Sequence, residues 1–317
     1  MFGNVPLRRG GPHGPAGKSA GKSYGRTGSP RGLSGPLMVL PCVGLLLVFA
    51  YWPVVRGVAL SLYGTDLLGN PSRFVGVSHY ADVVTDPGLR RALLATGTIA
   101  VLSVVLSVGG ALAAVLPLRR AARRPRAVVS LLLSLPFAYS AAASSAVFAG
   151  LFAPAIGTLN EVLAGLGVTG PAWLASPAWA VLSVSLATAW YEFGFAFLVL
   201  LAAVSQLDQG VIEAAALDGA SGLRMARSVI IPMLRPSLVF LLVTQTISGL
   251  QIFTQVQILT RGGPSGATST LVYELYQRAF GEALPDLGSA SALAMVLLAL
   301  VLTITAVQFL VLRRGSA

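Results

Sequence analysis

Six long apolar stretches, separated by shorter polar segments, dominate the pattern along the chain. A membrane-spanning helix needs about 20 mostly apolar residues, and the stretches that reach this length are residues 36–62, 92–118, 127–152, 179–201, 236–260 and 287–312. Their apolar positions run on continuously and do not alternate, which is typical of helices and not of barrel strands. The pattern therefore predicts an all-α, polytopic membrane protein with about six transmembrane helices.

The composition supports the same class of protein. Of the 317 residues 55% are hydrophobic and only 10% are charged, and the mean hydropathy is +0.78. Soluble domains carry about 25% charged residues, so this chain has too little charge to cover a water-exposed surface. A soluble enzyme, a disordered protein and a collagen-like chain are excluded on this ground. The single cysteine, Cys42, excludes an intramolecular disulfide framework.

The basic residues predict the orientation in the membrane. The chain has 22 Lys and Arg residues. Sixteen of them fall in the two termini and in the second–third and fourth–fifth connections, against five on the opposite side. By the positive-inside rule, both termini should be cytoplasmic in a multi-pass protein of the cell membrane. The basic clusters are then topology determinants and contacts to anionic membrane lipid, and no nucleic-acid partner is expected. Heavy use of Ala, Val, Leu and Arg favours a bacterial source.

The segment before the first span differs in composition from the rest. Residues 1–35 are basic and rich in Gly, Pro and Ser, which predicts a disordered cytoplasmic tail, with residues 36–317 forming the transmembrane domain. Residues 17–19 and 21–23 both read Gly-Lys-Ser, like the end of a phosphate-binding loop. The glycine required five positions earlier is replaced by Pro12 and Ala16. We therefore expect no ATP site in this chain.

The fourth–fifth connection, about residues 205–235, has the sequence features of a folded loop. Asp208 can cap a short helix that runs to Leu217, and Gly219 and Gly222 allow a sharp bend. A second short helix is expected to stop before Pro232. Small residues on the first helix would let another protein come close, whereas an amphipathic loop lying on the membrane is the structural alternative.

Polar residues inside the predicted spans are the candidate substrate path. Glu192 lies roughly 20 Å into the fourth span, where a carboxylate costs about 2.5–3.5 kcal/mol. It could contact a hydroxylated solute or hydrogen-bond a neighbouring span. Trp190 and Tyr191 could stack on sugar faces or simply pack. In the fifth span, the side chains expected on one face are Ser248, Gln251 and Gln255.

These amides and hydroxyls suit a neutral polyol, or alternatively serve as hydrogen bonds between helices. The two histidines are isolated, so no metal site is expected. The chain also shows no nucleophile–base constellation, which argues against a membrane enzyme.

Several motifs carry a family resemblance. The residues concerned in the fourth–fifth connection are Glu213, Ala214, Ala215, Gly219 and the run 229–232. Their order resembles the EAA loop of permease subunits of binding-protein-dependent ABC importers, with Val229 and Ile231 as conservative departures. Residues 74–76, 151–160 and 259–264 are similar to outer loops of the sugar-type branch, which includes maltose and glycerol-3-phosphate importers. His79 departs from that branch's usual Asn.

The resemblance implies partners and roles. It implies a second, similar permease subunit, two copies of an ATP-binding subunit that hold ATP and Mg, and an extracytoplasmic solute-binding protein. The residues it assigns to coupling with the ATP-binding subunit are Glu213, Ala214, Ala215, Asp218, Gly219 and Pro232. Those it places in an outer-face loop are Gly262, Gly263 and Pro264.

Together with the span pattern, the resemblance implies the permease subunit of an ABC importer that moves a carbohydrate by alternating access, with no enzymatic activity of its own. One alternative is a secondary transporter or channel for a small polar solute, although ion coupling would have to use Glu192 alone. Another is an ABC importer for a glycerol phosphate. The sequence does not identify the sugar.

Overall fold

The computed structural model describes residues 34–66, 70–119, 122–154, 157–281 and 284–314. The predicted cytoplasmic tail lies, apart from residues 34–35, outside these ranges. The described chain falls into two units. In the first, helix α1 (Ser34–Leu46) leads into a π-helical turn, Leu47–Tyr51. The second unit begins at Trp52 and contains the remaining elements.

The second unit opens with a helix and a hairpin. Helix α2 (Trp52–Leu60) precedes strands β1 (Tyr63–Thr65) and β2 (Pro71–Phe74), which pair antiparallel with Tyr63 opposite Phe74. After the hairpin come α3 (Ser78–Thr85) and α4 (Pro87–Leu118). Helix α4 starts where it does because Asp86 accepts a hydrogen bond from the Gly88 backbone N–H at 2.7 Å and Pro87 suits the first helical position.

The later elements that the structure describes are helices, apart from one π-helical turn at Ala226–Ile230. They are α5 (Arg123–Ala138), α6 (Ala141–Leu151), α7 (Thr158–Gly165), α8 (Pro177–Ser205), α9 (Gln209–Leu217), α10 (Gly222–Met225), α11 (Ile231–Met233), α12 (Arg235–Leu250), α13 (Thr254–Leu259), α14 (Leu271–Phe280) and α15 (Leu287–Arg314).

The number of spans agrees with the sequence prediction. Within the described ranges, four apolar helical stretches are long enough to cross a membrane: Met38–Leu60, Pro87–Leu118, Pro177–Ser205 and Leu287–Val311. Two further pairs of helices have the right composition but are bent, which brings the total to six if each pair is one span. The prediction of an all-α polytopic membrane protein is therefore confirmed.

The third span is not the continuous helix that its apolar run predicted. Residues 124–138 and 141–151 form two helices at 100° to each other. Tyr139 and Ser140, between them, are extended, with ψ of 151° and 154°. The Ser140 hydroxyl accepts a hydrogen bond from the Ala143 N–H at 3.1 Å and so starts a new helix. The sequence did not predict this break because both helices are apolar, and hydropathy does not show where a helix changes direction.

The fifth span is also broken, and at both ends. The helical segment Gly222–Met233 meets Arg235–Leu250 at 72°, with Pro236 in the first turn of α12. At the other end α12 stops at Leu250, and a non-helical stretch separates it from α13. The prediction of one helix over residues 236–260 is therefore wrong. The predicted stop before Pro232 is also wrong, because Pro232 lies inside α11.

Small side chains hold the spans together. At the crossing of α12 with α4, a Cβ on Gly249 would lie 3.0 Å from the Cα of Ala100. Buried hydroxyls on α4 and α8 are satisfied within their own helices: Ser103 donates to the Ile99 carbonyl at 2.7 Å, and Thr188 to that of Val184 at 2.8 Å. Close backbone approach of this kind is the usual packing of membrane helices. It brings α4, α8 and α12 together around Glu192.

Candidate functional site: the polar span centre and the helical loop

Glu192 lies near the middle of α8, and its side chain is half-buried. Its backbone carbonyl accepts a hydrogen bond from Nε2 of Gln245, on α12, at 3.1 Å. The other end of that amide, Oε1, accepts from the hydroxyl of Ser107 on α4. Both Gln245 and Ser107 are buried. One side chain therefore joins three spans at the level of Glu192.

Gln245 was not among the residues that the sequence assigned to the substrate path. Its partners lie 53 and 138 positions away along the chain, so no local pattern could identify them. A second polar bridge reaches the last span, where Gln308 donates to the Thr246 hydroxyl at 2.9 Å. Interhelical hydrogen bonds of this kind contribute on the order of 0.6 kcal/mol each in membrane proteins. Gln245 makes two such contacts and fixes the spacing of the three helices.

Trp190 and Tyr191 are half-buried, as expected for residues of a packed span. Trp190 makes edge contacts with Phe148 on α6 and with Tyr139 at the bend of the third span, at centroid distances of 5.6 and 5.8 Å. It also lines an apolar groove of about 540 Å³ with Tyr139 and Pro136. Residues two positions apart on a helix do not share a face, so Trp190 and Glu192 point to different sides of α8.

The face expected from Ser248, Gln251 and Gln255 does not exist as a continuous helical surface. Gln251 follows the last residue of α12, and Gln255 belongs to α13 on the far side of the break. Ser248 and Gln251 are exposed, whereas Gln255 is buried. The spacing rule fails here because it assumes an unbroken helix.

The loop Gly262–Gly263–Pro264 is a compact turn tied to the end of the broken fifth span. Thr268 donates to the Gly263 carbonyl at 2.6 Å and shares a hydrogen bond with Thr260 at 2.7 Å. Gly262 has φ +79°, and a Cβ there would lie 2.8 Å from the ring of Tyr273. Glycine is therefore required at position 262 for both conformation and space.

The fourth–fifth connection contains the capped helix that its sequence predicted. The Asp208 carboxylate accepts from the Gly210 N–H at 2.8 Å and starts α9, which ends at Leu217. Gly219 follows with φ +82° and Gly222 with φ +51°, and these two residues make the bend. Met225 and Ile230 are buried and anchor the second half of the loop against the spans.

Helix α9 turns one side toward the protein and another toward solvent. Ile212 and Ala215 pack against the apolar core, while Glu213, Ala214 and Asp218 are exposed. Pro232, farther along, is also exposed. The residues that sequence reasoning missed are the two most exposed apolar side chains of the loop, Leu217 at 90% and Leu223 at 79%. The two leucines therefore present apolar side chains at the surface of the loop, one before and one after its bend.

The described residues contain no cluster of three or more His, Cys, Asp or Glu side chains able to hold a metal ion. What the fold defines is a multi-pass helical membrane protein with a polar centre in its spans and a folded loop at one end.

Comparison with known proteins identifies the family of membrane proteins to which this chain belongs. Residues 89–315 match the family of inner membrane components of binding-protein-dependent transport systems, and the chain belongs to that family. It is a permease subunit of such a system.

Relatives match along most of the chain. The sn-glycerol-3-phosphate transport system permease protein UgpA of Agrobacterium fabrum is 31% identical, over 86% of this chain and 92% of that protein. The sulfoquinovosyl glycerol transport system permease protein SmoG of the same organism is 33% identical, over 87% of this chain and 89% of that protein. A crystal structure of a bacterial ABC transporter for the acidic polysaccharide alginate has a chain of the same fold, with a TM-score of 0.74 at 22% identity, covering 89% of this chain and 95% of that one.

Proposed function

We propose that this permease subunit works in an ATP-driven importer of a carbohydrate, with both termini in the cytoplasm. The observation that carries the proposal is helix α9, which is capped, anchored on one side and exposed on the other. ATP and Mg would be held by the partner subunits, because this chain lacks the glycines of a phosphate-binding loop.

In the proposed assembly, α9 enters a groove of the ATP-binding subunit. The small side chain of Ala214 lets the exposed side of α9 come close to the walls of that groove. Leu217, which is almost fully exposed, supplies an apolar side chain that the groove can bury. Glu213, in the middle of α9, offers a charge for a basic partner residue. Movement of the groove when ATP is bound would then pass through the buried Met225 and Ile230 into the bent fifth span.

The test of this coupling role uses two substitutions at one glycine. Gly219→Val should uncouple ATP hydrolysis from uptake or release the ATP-binding subunit, because a β-branched residue is strained at φ +82°. Gly219→Asn is the matched control, since Asn tolerates that conformation far better, and it should retain most of the coupling. ATPase activity of the reconstituted transporter is measured with and without loaded binding protein. If loaded binding protein stimulates the ATPase activity normally in both Gly219→Val and Glu213→Ala, α9 does not couple ATP hydrolysis to transport.

A second permease subunit and a solute-binding protein complete the proposed importer. The alginate transporter has been solved with a pentasaccharide-bound periplasmic protein, and it shares this chain's fold. We place the binding protein on the side of the Gly262–Pro264 turn, opposite α9. Co-purification of the tagged chain should recover a second permease and an ATP-binding subunit in a heteromeric complex.

For the solute, we favour a carbohydrate over a phosphate ester. The segments 92–118, 177–205 and 236–250 contain no Lys or Arg, and Glu192 is their one ionisable carboxylate. A phosphate dianion moving past this region would therefore meet no compensating cation there.

Glycerol phosphate is the second candidate, because it appears in the names of several relatives. Uptake of a labelled solute is measured with an excess of neutral glycosides and, separately, with an excess of glycerol 3-phosphate. The compound that inhibits uptake shows which of the two candidate solutes the transporter takes. Inhibition by glycerol 3-phosphate alone would refute the carbohydrate assignment.

A further inference from the structure

Two exposed side chains in the turn that follows α13 are held in an unfavourable backbone conformation. Arg261 has φ +50° and Ser265 has φ +51°, and among the described residues these are the two non-glycine residues with a positive φ. They are also the two exposed residues of the segment 260–270. Left-handed backbone is unfavourable for residues that carry a Cβ and is usually adopted by glycine or asparagine. The backbone strain therefore falls at the two positions whose side chains face solvent.

Arg261 occupies a position where the backbone geometry favours asparagine. The Gly263 N–H donates to the Thr260 carbonyl at 3.0 Å, across Arg261 and Gly262, whose φ values are +50° and +79°. This is the pattern of a type I′ turn, whose preferred central pair is Asn-Gly. Arginine at this position costs stability, and backbone strain of this kind is typical of positions that have a functional role.

Contacts within the turn hold the strained residues in place. The Arg261 N–H closes the last turn of α13 on the Val256 carbonyl at 2.8 Å, and the buried Thr268 donates to the Gly263 carbonyl at 2.6 Å. No described residue forms an ion pair with the Arg261 guanidinium or a hydrogen bond with the Ser265 hydroxyl. The turn is thus a rigid platform that presents an unpaired cation and an unpaired hydroxyl.

We propose that Arg261 and Ser265 are contact residues for the solute-binding protein and pair with a carboxylate on its surface. A guanidinium group binds a carboxylate through two parallel hydrogen bonds, and a rigid turn loses little conformational freedom when it docks on another rigid surface. The phosphate headgroups of the membrane are the other anions at the end of a span. A flexible arginine side chain reaches them from an ordinary backbone conformation, so they would not require the strain. The partner rests on the proposed function, which places this turn outside the cell, whereas the strain does not.

The test uses the complete transporter in phosphatidylcholine nanodiscs and measures two quantities, the unfolding temperature and the affinity for loaded binding protein. Arg261→Asn supplies the residue that a type I′ turn prefers and removes the cation. It should raise the unfolding temperature by about 2–4 °C and weaken binding about tenfold or more. Ser265→Gly should weaken binding a few-fold. A purely structural residue would not give a stabilised transporter that docks poorly.

Arg73→Asn is the matched control. Arg73 is exposed on β2, its φ is not positive, and the proposed orientation places it on the same side of the membrane as Arg261. This variant loses the same charge without any relief of strain, so it should gain no stability and bind like wild type. Equal losses of affinity in the two arginine variants would overturn the site in favour of general surface charge.

Other results would overturn it too. Unchanged affinity in Arg261→Asn would show that docking does not use this arginine, and a lower unfolding temperature would show that Arg261 stabilises the turn. Addition of phosphatidylglycerol that stabilises wild type but not Arg261→Asn, with docking intact, would assign the arginine to lipid. If wild type binds no loaded binding protein, the proposed function fails as well, whereas equal binding by wild type and Arg261→Asn refutes this inference alone.

Discussion

Substituting Gly194 by alanine should displace the bent third span. Gly194 is buried on α8, and a Cβ placed there would lie 2.4 Å from the backbone nitrogen of Phe137, near the end of α5. Ordinary contacts begin at 3.4 Å, so α5 would have to retreat by about 1 Å. The obstacle is backbone, and no side-chain rotation can relieve it. Since the 100° bend begins two residues after Phe137, the displacement would carry Tyr139 away from Trp190.

The expected cost follows from the geometry. Forcing an extra methyl group into a well-packed interior costs about 1–3 kcal/mol, and each 1.4 kcal/mol is about a tenfold change in an equilibrium constant. The matched control is Gly109→Ala on α4, where a Cβ would meet nothing within 4 Å. Alanine is also the better helix former, by up to about 1 kcal/mol. The control should therefore be neutral or slightly stabilising.

The assay compares the two variants in the purified transporter, by thermal unfolding and by solute uptake in proteoliposomes. Gly194→Ala should unfold at a lower temperature than wild type and transport more slowly, while Gly109→Ala should match wild type in both. Indistinguishable behaviour of the two variants would mean that α8 and α5 do not approach as closely as described, and the reasoning would fail.

Three further outcomes are expected. In a Cys42→Ser background, a cysteine replacing Gly263 should react with an impermeant thiol reagent from outside and one replacing Ser221 should not; the reverse pattern would invert the proposed orientation. Glu192→Leu should lower uptake at least several-fold with the assembled complex intact, and loss of the complex would make Glu192 structural instead. Gln245→Leu should destabilise the transporter by about 1 kcal/mol, since it removes two interhelical hydrogen bonds; unchanged unfolding would contradict the bridge.

Much of this protein could be predicted from its sequence because the relevant signals are local. The length of each apolar stretch shows whether that stretch can cross a bilayer, and six stretches are long enough. This number agrees with the four long helices and two bent pairs of the structure. The start of α9 at Asp208 and the bend at Gly219 were predictable for the same reason. A cap involves residues two positions apart, and a left-handed turn is the property of a single residue.

Other features were decided by contacts between distant parts of the chain. The helix breaks at Tyr139 and after Leu250 lie inside apolar runs, and hydropathy does not show where a helix changes direction within such a run. The second break separates Gln251 from Gln255. Gln245 gains its role only because α4, α8 and α12 pack side by side and place Ser107 and the Glu192 carbonyl at the two ends of its amide. In a membrane interior a buried amide must find its partners within the protein, and which partners it finds depends on how the helices pack.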